Sequence, residues 1–207
     1  FVRNSNSRVR REWIKSATKQ ALELRAKLDL DEMKQMQAYI AIRGADNAME
    51  NCDIDDEKMF LFRTLNEDVL NYRVNETRWC VLRWPNPSMA QGAKMSTEAF
   101  EDFYFQACLA DYPRMGRAAQ NLVNLMNKTD KVRLVANGTD ITFSIKDIPA
   151  IPCCGNINIP DGEVYTAPVR NSINGVIHYN TPTLYEGKQF SNIRLEFNDG
   201  KIVDATC

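Results

Sequence analysis

The sequence is poor in histidine, and His178 is the only one among its 207 residues. Conventional catalytic zinc and two-metal sites use two or more imidazoles, because neutral nitrogen ligands complement carboxylates around these ions. A complete site of that kind is therefore not expected within this chain. His178 alternates with Val176 along a hairpin-like strand, and this pattern predicts a surface residue rather than a metal ligand.

Neither sign of charge is in excess, and no long hydrophobic run is present. Lysine and arginine total 26 and aspartate and glutamate total 27, which leaves a formal net charge of -1. This balance gives no electrostatic reason to expect nucleic acid or an anionic membrane as a partner. No apolar segment reaches the length of about 18 residues that a membrane-spanning helix needs, so we expect no membrane span.

Several motifs of enzyme chemistry are missing as well. Neither GxGxxG nor a Walker sequence occurs, and Gly44 and Gly92 stand alone, so no phosphate-binding loop is predicted. No serine lies in a GxSxG sequence, which argues against an α/β-hydrolase. The six cysteines show neither CxxC spacing nor the density of a disulfide scaffold, which predicts reduced thiols and a cytoplasmic protein.

The adjacent residues Cys153 and Cys154 leave two alternatives open. With His178 they would form a nucleophilic cysteine–histidine pair, and with Cys207 added they would form a zinc cluster. The spacing of these residues matches no known zinc-ligand pattern. We favour a tight loop instead, because a proline and a glycine flank the two cysteines.

The first part of the chain alternates between helical and extended patterns. Apolar residues at steps of three and four predict amphipathic helices. They cover about 8–28, 57–72, a segment from Ser96 or Thr97, and a segment after Pro113. Two buried strands are predicted over 37–43 and 78–84. A strand–helix–strand unit with a crossover of this length is typical of a parallel sheet.

The hydrophobic pattern changes from helical to alternating near residue 130. Asn137 and Gly138 separate two alternating runs, which is a strong sequence signal for a β-hairpin. Further strands are predicted over 176–179, 193–197 and 202–203. The predicted fold class is therefore α/β followed by mainly antiparallel β. The predicted division gives a helix-rich part over 1–130 and a β-rich part over 131–207.

Both ends of the sequence predict a piece of a longer protein. Phe1 is not an initiator methionine, and the residues after it contain neither an apolar core nor a cleavage signature of a signal peptide. Cys207 ends the chain inside a predicted strand. We therefore expect truncation at both ends.

One carboxylate, Glu163, lies in a short extended segment between Pro160 and Pro168. Proline restricts its own φ and biases the preceding residue toward extended conformations, so the direction of the Glu163 side chain is constrained. A carboxylate held in this way suits a divalent metal ion. The alternative is that Pro160-Asp161-Gly162 is a simple turn before an edge strand, with Glu163 in solvent.

A larger set of residues around Glu163 resembles the thermophilic-type metallo-aminopeptidases, the group of aminopeptidase T, aminopeptidase S and the PepS enzymes. The resemblance covers about residues 75–205, and the first 70 residues match only in general character. The segments that carry it are Trp79–Pro85, Ala90-Gln91, Met95-Ser96, Phe100–Phe103, Gly138–Asp140, Ile148-Pro149, Asn158–Pro168, Asn174-Gly175, Gly187, Leu195–Phe197 and Gly200–Val203.

The resemblance implies a cytoplasmic, homodimeric exopeptidase that removes N-terminal residues from peptides. It implies two divalent metal ions, cobalt or zinc, that activate a water molecule. Residues 1–130 correspond to the C-terminal portion of an N-terminal α/β domain, and residues 131–207 to the incomplete, β-rich beginning of the catalytic domain. In this comparison the chain alone is an incomplete and inactive piece of the enzyme.

The resemblance assigns one metal ligand to this chain, Glu163, which corresponds to the first ligand of the family in chain order. The later ligands of the family, a second glutamate, two histidines, a tyrosine and an aspartate, follow the position where Cys207 stands. Asp161 and Tyr165 flank Glu163, and Tyr165 is expected on the same face of the strand. Neither of them matches a ligand position of the family.

Two other functions stay open from the sequence. The first is a non-catalytic binding or scaffolding protein of the same fold that lacks the downstream metal ligands. The second is an α/β ligand-binding module over residues 1–130 with an unrelated β-rich appendage. The presence or absence of further histidine, glutamate and aspartate ligands in the complete reading frame distinguishes the enzyme from the first alternative.

Overall fold

The computed structural model describes residues 2–185 and 188–207, which fold into two compact units. The first unit comprises the residues up to Ala107 together with Ile157–Ile159, and the second comprises Cys108–Asn156 and Pro160–Cys207. Within the described ranges, no helix is both long enough and apolar enough to cross a membrane.

The helices in the described part of the chain are α1 (Ser7–Ser16), α2 (Lys19–Met33), α3 (Asp56–Leu65), α4 (Glu67–Glu76), α5 (Pro87–Gly92), α6 (Thr97–Cys108) and α7 (Tyr112–Asn127). The strands there are β1 (Ala38–Arg43), β2 (Arg78–Arg83), β3 (Lys131–Ala136), β4 (Thr139–Ser144), β5 (Ile151–Cys153), β6 (Asn158–Ile159), β7 (Glu163–Tyr165), β8 (Asn174–Tyr179), β9 (Thr183–Tyr185), β10 (Lys188–Phe190), β11 (Ile193–Asn198) and β12 (Lys201–Thr206).

The helix predicted over 8–28 is two helices in the structure. α1 ends at Ser16, and Ala17 is extended, with φ -63° and ψ 140°. Thr18 then caps α2, because its side-chain oxygen accepts a hydrogen bond from the backbone N–H of Ala21 at 3.2 Å. The apolar spacing continues across this break, so spacing alone does not reveal it.

The helix predicted over 57–72 is also interrupted, and α3 and α4 meet at Asn66. The side-chain amide of Asn66 donates a hydrogen bond to the carbonyl oxygen of Phe62 at 2.8 Å. The backbone N–H of Asn66 donates to the same carbonyl at 3.2 Å, so the last turn of α3 closes on this residue. Asn66 also occupies the N-cap position of α4, so a single residue ends one helix and begins the next.

The sheet of the first unit is parallel, as the strand–helix–strand pattern predicts. β1 and β2 are in register as far as Arg43 opposite Arg83, and β6 pairs with the other side of β2. β1 is thus an edge strand, and its Ile40 and Ile42 are 74% and 64% exposed. Ile40 and Ile42 share one face of β1, and the described residues leave this face uncovered. The prediction of a buried strand over 37–43 is therefore wrong, while the central strand β2 is half-buried.

The core of the first unit forms where α1 and α3 pack together. Ile14, Ile54 and Met59 are buried there. Trp13 and Phe62 cover them, with their rings edge to face at a centroid distance of 6.4 Å. Burial of a large apolar side chain of this kind stabilises a fold by roughly 1.5–3 kcal/mol. The apolar residues that recur at steps of three and four in the two amphipathic helices therefore form the contact between α1 and α3.

The second unit contains a five-stranded antiparallel sheet in the order β12-β11-β8-β4-β3. Asn137 and Gly138 form the two-residue turn between β3 and β4, as predicted, with Gly138 at φ 72°. β5 and β7 form a separate antiparallel pair, and α7 contacts both of these strands. Together the two units confirm the predicted fold class of α/β followed by mainly antiparallel β.

The change from helices to strands and the division into compact units occur at different positions. α7 ends at Asn127 and β3 begins at Lys131, close to the predicted change at residue 130. The compact units divide between Ala107 and Cys108 instead, because α7 packs against strands of the second unit. The assignment of 1–130 and 131–207 to two functional domains stays a prediction.

Candidate metal centre

Glu163 is the first residue of strand β7, which pairs with β5 in antiparallel fashion. Its register partner is Cys153, and Tyr165 at the other end of the strand pairs with Ile151. The extended conformation predicted between the two prolines is therefore present. Glu163 and Tyr165 share one face of β7 because side chains alternate along a strand, and both residues are exposed.

The turn before β7 is held by the carboxylate of Asp161. Its Oδ2 accepts a hydrogen bond from the backbone N–H of Gly155 at 2.8 Å, and its Oδ1 accepts one from Gly162 at 3.1 Å. Both carboxylate oxygens are therefore engaged by the backbone. Asp161 fixes the direction in which the chain enters the strand that carries Glu163, and this contact assigns Asp161 a structural role.

Gly155 packs directly against the ring of Tyr112, in the first turn of α7. A Cβ atom at residue 155 would lie 2.6 Å from Cγ of Tyr112, and Gly155 has φ +81°, a conformation that favours glycine. Burial raises the pKa of the Tyr112 hydroxyl, whereas a hydrogen bond from the backbone of Asp161 lowers it. The ring of Tyr112 therefore connects the loop before Glu163 to α7, and Met115 of the same helix lies close to Gly162.

The carboxylate of Glu163 has no cationic partner among the described residues, since no ion pair there involves it. The thiol of Cys153, across the strand pair, is a hydrogen-bonding neighbour of this carboxylate. The arrangement presents an anionic oxygen ligand on a strand whose approach is fixed. An unpaired carboxylate of this kind is available to a divalent cation.

The thiol of Cys153 does not have the properties of a nucleophile. Burial raises its pKa, and the negative charges of Asp161 and Glu163 raise it further. Reactive cysteines need the opposite environment, because the thiolate is the nucleophilic form. The electrostatics around Cys153 therefore give no support to this residue as the nucleophile of a cysteine–histidine pair.

The sequence predicts His178 as a surface residue rather than a metal ligand; in the structure it is half-buried on β8 and lies over the hairpin turn. A Cβ atom at Gly138 would be 3.2 Å from Nδ1 of His178. The backbone N–H of His178 donates to Oγ1 of Thr139 at 2.9 Å. No three or more His, Cys, Asp or Glu side chains in the described residues form a group that could hold a metal ion, so the zinc cluster with Cys207 does not form.

The sequence did not predict an apolar cavity of about 480 Å³ beside β7. The cavity is lined by residues of α7, of the β3–β4 hairpin and of β7 itself, among them Leu125, Met126, Phe143, Ile145, Val164 and Tyr165. The helical and alternating patterns of these segments are visible in the sequence. Their convergence on one cavity depends on the packing of α7, which the patterns do not encode.

Comparison with known proteins assigns this chain to a family of metalloproteases. A model of the thermophilic metalloprotease family (M29) matches residues 1–207, the whole chain. The chain belongs to this family, and the resemblance described from the sequence is confirmed. Of the segments that carry the resemblance, Gly187 lies outside the described residues.

Two curated aminopeptidases are similar to the chain in sequence. Aminopeptidase 2 of Geobacillus stearothermophilus is 23% identical over 210 residues, which cover 87% of this chain and 51% of the relative. Aminopeptidase AmpS of Bacillus subtilis (strain 168) is 31% identical over 78 residues, or 33% of this chain and 19% of the relative. The chain thus spans about half the length of the first relative and less of the second.

A solved structure, wild-type AmpT from Thermus thermophilus, has the same fold. The two structures superpose with a TM-score of 0.77 over 99% of this chain and 58% of that chain. At 19% sequence identity this similarity shows the fold alone. It agrees with the α/β and antiparallel β parts described above.

Proposed function

We propose that this protein acts as a metal-dependent aminopeptidase that removes N-terminal residues from peptides. Membership of the thermophilic metalloprotease family supports the class of reaction, and both curated relatives are named aminopeptidases. The observation that carries the proposal is the exposed carboxylate of Glu163, which has no cationic partner in the described residues and follows a turn fixed by Asp161.

Glu163 fits the role of one oxygen ligand of a divalent metal ion. The described residues do not complete a ligand set around it, because no group of three or more suitable side chains exists among them. We infer that the remaining ligands belong to a segment after Cys207. The half-length match to the Geobacillus relative supports this inference.

When bound, two divalent ions, cobalt or zinc, supply a water molecule of lowered pKa and polarise the carbonyl group of the scissile bond. The residues of this chain contribute binding and orientation. Glu163 supplies negative charge and an oxygen ligand. Cys153 keeps a neutral thiol beside it, because burial and the neighbouring carboxylates raise its pKa. The carboxylate of Asp161 accepts hydrogen bonds from two backbone N–H groups and so holds the turn. Glu163 is then the carboxylate of this segment that is available to a metal ion.

The same proposal extends to the organisation of the whole protein. Residues 1–130 form the C-terminal portion of an N-terminal α/β domain, and residues 131–207 form the beginning of the catalytic domain. The 207-residue chain by itself lacks most metal ligands and is inactive. The complete enzyme is a cytoplasmic homodimer with peptides as substrates, as the resemblance to the aminopeptidase group implies.

A non-catalytic binding protein of the same fold is the second candidate. The incomplete ligand set in the described residues favours it, because a protein without metal ligands keeps the fold and loses the reaction. This candidate predicts that the complete protein neither retains divalent metal nor hydrolyses aminoacyl substrates.

Metal analysis and an aminopeptidase assay distinguish the two candidates. The 207-residue chain and the complete protein are each dialysed against cobalt or zinc, analysed by mass spectrometry for bound metal, and assayed with leucine p-nitroanilide and phenylalanine p-nitroanilide. We expect metal retention and hydrolysis by the complete protein only. A complete protein that retains no metal and shows no hydrolysis refutes the enzyme proposal.

The substitution Glu163→Gln in the complete protein tests the assigned ligand. The amide keeps the size of the side chain and removes its charge, so we expect the cobalt affinity of one site to fall at least tenfold. The matched control is Glu76→Gln, which removes an exposed carboxylate from the last residue of α4. Equal cobalt affinity of the wild type and Glu163→Gln refutes the assignment of Glu163.

A further inference from the structure

The carboxyl ends of β1 and β2 bring two arginines side by side. Arg43 and Arg83 are the last residues of these strands and are register partners. The strands stay paired here, because the backbone N–H of Trp84 donates to the carbonyl oxygen of Arg43 at 2.7 Å. Register partners on adjacent strands project to the same face of a sheet and lie about 4.8 Å apart at the backbone. Two positive charges therefore share one face of the parallel sheet.

Neither arginine has a carboxylate partner among the described residues, although both line a cavity of about 910 Å³. The two acidic residues of this cavity, Asp29 and Glu32, are both paired with Arg3. They are thus unavailable to neutralise the arginines at the ends of the strands. The cavity is left with a positive charge that the described protein does not balance.

A third arginine of the same cavity, Arg73 on α4, also keeps an unused donor. Its guanidinium lies over the rings of Tyr39 and Trp79, at 5.1 Å and 5.4 Å from their centroids. Its Nε is buried and has no hydrogen-bond partner. Tyr39 and Trp79 precede Arg43 and Arg83 by four residues along β1 and β2, or roughly 13 Å of strand. Arg73 therefore lies toward the amino ends of the strands and is not part of the pair at their carboxyl ends.

We propose that the carboxyl ends of β1 and β2 form an oxyanion-binding site, in which Arg43 and Arg83 hold a phosphate group. Open parallel sheets with flanking helices bind ligands in the crevice outside the carboxyl ends of their strands. Like charges directly opposite each other on neighbouring strands repel, and an anion between them converts this repulsion into attraction. The guanidinium group matches phosphate through two parallel hydrogen bonds.

The residues that follow the two strands complete the walls of the crevice. Gly44, after β1, approaches Asn86, after β2, so closely that a Cβ atom at residue 44 would lie 3.4 Å from Nδ2 of Asn86. The hydroxyl of Ser88, on α5, lines the same cavity and adds a neutral donor. Arg43 and Arg83 are neighbours at the end of a single strand pair, which favours a compact phosphate over an extended acidic peptide.

Titration calorimetry of the full 207-residue chain at low ionic strength tests the site. The probes are sodium phosphate, adenosine monophosphate as a phosphate monoester, and citrate as a carboxylate. We expect saturable binding of phosphate or of the monoester. Tighter binding of inorganic phosphate identifies the free ion as the source of the group, and tighter binding of the monoester identifies a phosphorylated small molecule.

Three glutamine substitutions locate the binding. Arg43→Gln and Arg83→Gln each remove one guanidinium, so the affinity for phosphate is expected to fall at least tenfold. Arg78→Gln is the matched control, because Arg78 is exposed at the amino end of the same strand as Arg83 and does not line the cavity. Equal phosphate affinities for Arg83→Gln and Arg78→Gln overturn the proposal. Absence of saturable phosphate and monoester binding, or binding of citrate alone, overturns it as well.

Thermal unfolding supplies a second readout that does not depend on calorimetry. Without phosphate, Arg43→Gln relieves the repulsion between the two arginines and is expected to raise the unfolding midpoint by about 1–2 °C. Phosphate is expected to raise the midpoint of the wild type and of Arg78→Gln, but not that of the Arg43→Gln/Arg83→Gln variant. An equal phosphate effect on all three proteins refutes the site. The site involves no residue of the second unit, so the result is independent of the aminopeptidase assay.

Discussion

The two units of this protein present uncompensated charge in contrasting surroundings. Glu163, in the second unit, follows a turn in which both oxygens of Asp161 are engaged and Gly155 has no room for a side chain. Arg43 and Arg83, in the first unit, extend from paired strands into an open cavity. The carboxylate is thus carried by a sterically fixed loop, whereas the arginines rely on long side chains that adjust to a ligand.

This difference matches the needs of the two ligands that we propose, a divalent metal ion at Glu163 and a phosphate group at the arginines. A divalent metal ion requires oxygen ligands within a few tenths of an ångström of fixed distances, so the supporting loop has to be rigid. A phosphate group accepts hydrogen bonds from several directions, and flexible guanidinium groups reach it without a fixed loop. Matched substitutions in the loop before Glu163 and in the segments after β1 and β2 therefore test whether the first loop is the more rigid.

The largest expected effect is the loss of stability in Gly155→Ala. The new methyl group would collide with the ring of Tyr112, and the positive φ of residue 155 adds backbone strain. We expect a loss of about 3 kcal/mol in the free energy of unfolding, measured by urea denaturation. The control Gly44→Ala, where the added Cβ has 3.4 Å to its nearest neighbour, is expected to change little. Equal losses of unfolding free energy in Gly155→Ala and Gly44→Ala would show that the two loops do not differ in rigidity.

A smaller effect is expected from the side chains that hold the two loops. Asp161→Ala removes two hydrogen bonds from backbone N–H groups, and we expect a loss of about 2 kcal/mol. Asn86→Ala removes the cap of α5, in which Oδ1 accepts from the N–H of Met89 at 3.1 Å, and about 1 kcal/mol is expected. Urea denaturation of both variants measures the two losses of unfolding free energy. A larger loss in Asn86→Ala than in Asp161→Ala would contradict the prediction.

Cysteine reactivity gives a third comparison of the two units. Burial and neighbouring carboxylates raise the pKa of the Cys153 thiol, whereas Cys52 in the first unit is exposed. We therefore expect iodoacetamide at neutral pH to modify Cys153 more slowly than Cys52. Mass spectrometry of peptides after timed labelling measures both rates. A Cys153 that reacts as fast as Cys52 would show that its thiol is not shielded.

The smallest expected effect concerns acid. The hydrogen bond from Arg11, with a second from Lys15, lowers the pKa of Asp53 from its usual value to about 2. Because the folded pKa is depressed, this stabilisation is present above the unfolded pKa of about 3.9 and is lost as the pH falls through about 2. The pair is exposed, so the effect on stability is small.

Carbon NMR titration of the Asp53 carboxyl group between pH 5 and pH 1 checks the direction of this shift. Arg11→Gln is expected to move the pKa of Asp53 back toward its usual value. Asp140 in the second unit, whose pKa the hydrogen bond from Arg133 lowers, is the control and should be unaffected by that substitution. An unchanged Asp53 titration in Arg11→Gln would exclude Arg11 as the cause.

The fold class follows from the sequence because local patterns determine it. The Asn137-Gly138 turn and the alternation on either side of it require no distant contact, and the hairpin is present as predicted. The interruptions at Thr18 and Asn66 were not predictable from apolar spacing, because single side-chain hydrogen bonds produce them. The exposure of Ile40 depends on which elements pack over its face of the sheet, and the pattern within the strand does not encode this.

The candidate metal centre was predictable only in part. The prolines around Glu163 indicate an extended segment, and the strand β7 is present. The structural role of Asp161 depends on Gly155, six residues earlier, and on the packing of that glycine against Tyr112. A contact between a loop and a helix produces no periodic pattern in the sequence, so it could not be predicted from the sequence. The role of Glu163 as a metal ligand stays a prediction.

The pairing of β6 with β2 has a consequence for synthesis on the ribosome. β6 completes the sheet of the first unit, yet it follows the other residues of that unit by about 50 positions. At about 5–20 residues per second, the third strand is synthesised roughly 3–10 s after the rest of this unit. The whole of α7 and the β3–β4 hairpin are synthesised in this interval. A chain shortened to residues 1–130 would never receive this strand, so the boundary that the sequence pattern predicts is unsuitable for isolating the first unit.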